Sequence, residues 1–126
     1  MHSAQNFLIQ RAATSYRGRL MSWQNAIRGA RDVCAAAQLS ANMPPIGGGM
    51  SAMVRPLVSA EISRARHAAE TNIFERLLKT GCADLDDARM HALMRLLAGH
   101  APRSAALLAE ISRKAKAERA LATPSE

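Results

Sequence analysis

Counted from Ile9, apolar residues recur at alternating steps of four and three through Ala13, Tyr16, Leu20, Trp23, Ile27, Ala30, Cys34, Ala37 and Ala41. A seam of that period sustained over several heptads is one face of a helix. It predicts a long helix from about Ser3 to about Ser40, far beyond the usual length of ~12 residues. Gly18 and Gly29 lie inside it, and each lowers helix stability by up to ~1 kcal/mol, so a kink or break is expected near Gly18.

The stretch NMPPIGGGMSAM, residues 42 to 53, cannot continue that helix. Pro44 and Pro45 lack the donors a helix needs, and Gly47, Gly48 and Gly49 accept backbone angles closed to other residues. Residues 42–55 therefore read as a Pro/Gly/Met hinge between a basic first segment, 1–41, and a second part, 56–126. Pro56 suits the first position of a new helix running to about Thr80, with Val58, Ile62, Ala65, Ala69, Ile73 and Leu77 as its buried stripe and Gly81 as its C-terminal cap. Asp84 is expected to cap a third helix, with Asp86 and Asp87 in its first turn, apolar Leu85, Leu93, Met94, Leu96 and Leu97, and a stop at Gly99. A fourth is expected from Ser104 to about Ala122, burying Leu107, Leu108 and Ile111 and ended by Pro124. Its Arg113-Lys114-Ala115-Lys116 run reads as a solvated face.

Short loops between the later helices favour antiparallel neighbours, so the fold class is all-α, a small helical bundle of one domain. Composition agrees: 48% of residues are hydrophobic but only 3% aromatic, leaving Ala, Leu, Ile and Met, mostly good helix formers, to fill the core. The first helix is longer than such a bundle needs, and its free length suits packing on another subunit, in a multi-copy or hetero-complex.

The formal charge is +7, unevenly spread. Residues 1–69 carry eight arginines against Asp32 and Glu61, whereas residues 70–126 are nearly balanced. That asymmetry points to a polyanionic partner for the first half. Arginine's planar fork suits phosphate. At 100° per residue Arg17, Gln24, Arg28 and Arg31 share one flank of the seam, while Arg11 and Arg19 point elsewhere. Arg55, Arg64 and Arg66 would extend this surface if the first two helices fold together. Nucleic-acid backbone, bound with weak sequence specificity through Arg17, Arg28, Arg31, Arg55, Arg64 and Arg66, is the expected ligand. The alternative is a helical adaptor or chaperone of a phage, plasmid or secretion machine that grips a protein with Leu20, Trp23 and Ile27, and with Met50 and Met53 on the hinge.

Chemistry of its own is not expected. The triple glycine is not followed by Lys-Ser/Thr and no strand precedes it, so it is not a nucleotide-hydrolysing loop. His2, His67, His91 and His100 show no ligand spacing, Cys34 and Cys82 form no redox or metal motif, and the Asp84 run has Arg89 where a calcium loop needs glycine. No nucleophile elbow or catalytic Cys-His signature is present. No metal, cofactor or membrane span is expected, and a reducing cytoplasm suits the two cysteines. Residues 1–31 are Arg-bearing and free of acid, a composition shared with organellar transit peptides.

The text NIFERLLKTGCADLDDARMHALMRLLAG, with Phe74, Leu77 and Leu78 before an acidic turn and Leu93, Leu96 and Leu97 after it, resembles part of the small helical subunit of CRISPR effector complexes. The resemblance begins at about Glu70 and covers roughly a third of the chain. It implies an all-α, non-catalytic subunit that lines up in copies along a nucleoprotein filament and steadies a guide duplex or displaced strand with basic residues.

Overall fold

A computed structural model describes residues 3–82 and 85–122. Among these, five helices and no strand occur: α1 (Ser3–Arg28), α2 (Val33–Ala41), α3 (Ser51–Thr80), α4 (Asp87–His100) and α5 (Pro102–Ala122). The fold is the expected all-helical bundle with a long N-terminal helix.

The single long helix of the sequence reading is two helices, and the break lies at residues 29–32 rather than at Gly18, which sits within unbroken α1. Three local features stop α1 at Arg28. Gly29 weakens the helix. Asp32 takes an extended backbone and accepts the Ala35 N–H at 2.8 Å, capping α2. Arg76, from α3, donates to the carbonyls of Ile27 and Arg28 at 2.9 and 3.1 Å, giving partners to groups that a helix end leaves unpaired. Because the chain reverses there, the buried face of α2 is Val33, Ala36, Ala37 and Ser40, while Ala41, placed on the seam by a continuous period, is exposed.

Contacts between elements give the topology. Gln5 meets Met53, Arg17 meets Leu57 and Glu61, and Ile27 meets Arg76, so α1 and α3 run parallel. The return leg between them is α2 and the Pro/Gly segment, tied back along α1 by Trp23 Nε1–H to the Leu39 carbonyl and the Tyr16 hydroxyl to the Pro44 carbonyl, both 2.7 Å. Met43, Ile46 and Met50 pack against the core from this leg. The expected hinge is therefore a strap whose first half is pinned, and α1 belongs to the body rather than swinging against it. Only Gly47, Gly48 and Gly49 stand clear at its end, with Gly48 at φ +86°.

Helix α3 starts at Ser51, five residues before Pro56. Extending the helix buries Val54 at 2% exposure beside Val58, worth about 1.5–3 kcal/mol, comparable to the ~3 kcal/mol that a proline costs inside a helix. Its buried face, Val54, Val58, Ile62, Ala65, Ala69, Ile73 and Leu77, is the predicted stripe plus one residue. Gly81 ends it at φ +61°, ψ −146°.

Helix α4 is capped by Asp86, whose carboxylate accepts the Arg89 N–H at 2.8 Å, with Asp87 as its first residue. The Leu85 N–H is already engaged in a turn with the Cys82 carbonyl, which delays the helix. The expected cap Asp84 lies outside the described residues, as do His2 and Pro124. Helix α5 starts at Pro102, two residues before the expected Ser104, with Ala101 as its sole connection to α4. Arg103 at its start stands 5.3 Å over the Phe74 ring and 4.0 Å from Glu70, docking α5 on α3. One buried cluster runs through every helix, from Ala13 to Leu108.

Candidate functional site

The six arginines expected to bind phosphate differ in their partners within the fold. Arg17 donates to the Leu57 carbonyl at 3.0 Å and lies 3.7 Å from Glu61, and Arg64 lies 3.7 Å from the same carboxylate oxygen. These two are engaged within the fold by a partner 44 residues away from Arg17 in sequence, one that local reading does not supply. Arg28 is 3.4 Å from the Asn25 side chain at the end of α1. Arg31 pairs loosely with Asp32 at 3.6 Å and borders a separate cleft.

Arg55 and Arg66 behave differently. Both are exposed on α3, and among the described residues neither forms an ion pair. With Arg19 of α1 they stand close enough to Tyr16 for their charge to act on its hydroxyl. Arg19 lies 5.3 Å over the Tyr16 ring, in a cation–π contact. The helical wheel sets Arg19 off the ridge; in the structure its guanidinium lies over the ring of Tyr16, whose hydroxyl also feels the charges of Arg55 and Arg66. Three arginines from two helices thus act electrostatically on one buried phenol that anchors the strap. Burial pushes the Tyr16 hydroxyl above its ordinary pKa, and the three guanidinium groups oppose that shift.

The partner-binding seam is corrected outright. Leu20, Trp23 and Ile27 are 3%, 8% and 1% exposed, facing the chain's own core. The seam that looked available for a second protein is covered by α2, the strap and α3. Met50 is half-buried against the core, and only Met53 presents an exposed apolar side chain.

The nucleophiles and ligand-type residues are quiet. Burial, and secondarily Asp32, pushes the Cys34 thiol up while Arg89 opposes it; burial, with a small contribution from Cys34, pushes up Cys82. A raised thiol pKa leaves little thiolate near neutral pH. His67 and His91 are exposed, and His100 is half-buried with Nδ1 3.0 Å from the Leu96 carbonyl. Among the described residues no group of three His, Cys, Asp or Glu side chains is placed to hold a metal ion. No described helix is long and apolar enough to cross a membrane.

Arg76 is the residue that sequence reading missed most completely. Its role spans 48 and 49 residues of chain, and only its i−4 neighbour Asn72, which accepts Nε–H at 2.7 Å, is local. No protein-family model, curated protein or solved structure matches the chain.

Proposed function

We propose that the chain is a non-catalytic helical subunit of a cytoplasmic nucleoprotein assembly that holds nucleic-acid backbone on the face formed by Arg19, Arg55 and Arg66. The observation that carries this reading is the pairing pattern. Where Arg17 and Arg64 share Glu61, the arginines around Tyr16 stand exposed without a carboxylate partner among the described residues. Guanidinium groups in that state suit phosphate, which offers the bidentate acceptor that they lack. The Arg17–Leu57 hydrogen bond and the core beneath hold their two helices together. One setting for such a subunit is the CRISPR effector complex that residues 72–99 resemble.

The test is fluorescence anisotropy with labelled single-stranded RNA, single-stranded DNA and duplex DNA. Three arginine–phosphate contacts to duplex DNA give a log–log salt slope of about −2.7, a loss of roughly 40-fold between ~50 and ~200 mM salt. Replacing Arg55 and Arg66 by Gln should cut that slope to about −0.9, while Arg17→Gln should leave it unchanged. Absence of binding at low salt to all three polymers refutes the reading. A second reading, protein-to-protein adaptor, now rests on other residues: Phe7 at 65% exposure, Leu8 and Met53 form an exposed apolar group where α1 and α3 begin. Co-purifying protein lost on Phe7→Ser, with no nucleic-acid affinity, would favour it.

A further inference from the structure

A cleft of about 1040 Å³ opens between the start of α2, the end of α3 and α4. This is the upper end of the size of small-molecule sites, roughly 300–1,000 Å³. Its walls are apolar where Val33, Leu85, Leu93 and Leu96 line it. Arg31, Arg76, Arg89 and Arg95 line it as well, and Asp32 is the one acid among its described lining residues. That acid is already used twice, as the cap of α2 and as the partner of Arg31.

The four cations differ in availability. Arg76 is committed to Asn72 and to the end of α1. Arg31 is 90% exposed at the mouth. Arg89 and Arg95 are exposed on α4 with no ion pair among the described residues, and Arg89 is near enough to act electrostatically on Cys34 across the cleft. Apolar walls faced by two arginines without an ion pair among the described residues are an arrangement that neither a purely apolar nor a purely ionic ligand satisfies. A hydrocarbon body removes the leucine surface from water, and an anionic head gives the guanidinium groups an acceptor.

We propose that this cleft binds an amphipathic organic anion, a carboxylate or phosphate head on an aliphatic body, with the body against the half-buried Leu85 and Leu96 and the head held by Arg89 and Arg95. The site is separate from Arg19, Arg55 and Arg66, so it stands or falls independently of nucleic-acid binding. Both thiols border it, yet their raised pKa values leave binding, not covalent capture, as its chemistry.

Isothermal titration calorimetry with decanoate, decyl phosphate and uncharged decanol tests it, alongside amide NMR shifts. The expected result is saturable binding of the anions at one site, shifts centred on Leu85, Arg89 and Leu96, and no comparable binding of decanol. Comparing the two anions tells a carboxylate preference from a phosphate preference. Arg89→Glu with Arg95→Glu should weaken binding by roughly tenfold or more, as the loss of charge-assisted hydrogen bonds dictates, and the milder Arg89→Gln/Arg95→Gln pair should give a smaller loss with an unchanged circular dichroism spectrum. No saturable binding of either anion, equal binding of decanol, or unchanged affinity in both double variants would each overturn the proposal.

Discussion

Replacing Arg76 by Met tests how the break between α1 and α2 is held. Met keeps an apolar stem of similar reach and removes only the guanidinium. Three hydrogen bonds go with it: 2.7 Å to Asn72, 2.9 Å to the Ile27 carbonyl and 3.1 Å to the Arg28 carbonyl. A hydrogen bond to a charged group contributes about 1.5–3 kcal/mol, but these are not three full contributions. The Arg28 carbonyl is at an exposed site, so water replaces the guanidinium there, and the Asn72 pair is a local i,i+4 contact. The Ile27 bond is the one that is both part-buried and long-range, beside a side chain at 1% exposure. The expected loss is therefore about 2 kcal/mol, close to one charged bond plus a fraction of the others. With a urea m-value of ~1–3 kcal/mol/M, the midpoint falls by about 1 M. Urea titration followed by circular dichroism measures it. Arg31→Met serves as the control: its side chain is 90% exposed and its only ion pair among the described residues is with neighbouring Asp32, so its effect should lie within about 0.5 kcal/mol. Arg76→Lys should fall between wild type and Met, since a point charge reaches one carbonyl but not the forked set. If Arg76→Met and Arg31→Met leave the midpoint equally unmoved, the guanidinium does not hold the break.

Two further perturbations follow from the geometry. Gly18→Ala and Gly81→Ala should have opposite signs in the same urea assay. Gly18 is inside a helix with open space around its missing Cβ, so alanine should stabilise by about 0.5–1 kcal/mol, whereas Gly81 has φ +61°, ψ −146°, where alanine should cost about 1–3 kcal/mol; equal effects would contradict both backbone assignments. Tyr16, the chain's one tyrosine, has its pKa raised in the fold chiefly by burial, so its stabilising contribution is complete below the unfolded value of 10.0 and is lost as pH rises through the higher folded value. Its absorbance change near ~295 nm should have a midpoint above that of free tyrosine, ~10, and the stability gap between wild type and Tyr16→Phe should narrow with rising pH; a titration at the ordinary tyrosine value would refute the buried phenol.

What could be read along the chain was whatever depends on period and on backbone chemistry. The α3 stripe from Val58 to Leu77 was legible because burying one face of a helix requires that spacing, and Gly81, Pro44 and Pro45 marked ends because their backbones permit little else, whereas Pro56 lies inside α3. The seam from Ala13 to Ile27 was legible as apolar, yet not as inward-facing, since a helix pattern names a face and not its partner. The same limit hid the break after Arg28, where a continuous period passes through a reversal of direction.

Partnership across 28 to 49 residues was decided by tertiary structure alone. Tyr16 reaches Pro44 and turns a hinge-like sequence into a strap, Glu61 of α3 pairs with Arg17 of α1, and Arg76 closes the end of α1. Fractional exposure and ion pairing depend on which helices pack together. A net charge of +7 is therefore a property of composition, while the arrangement that leaves Arg55 and Arg66 unpaired and sets Arg89 and Arg95 over an apolar cleft arises from the parallel packing of α1 on α3 and the placement of α4 against α2.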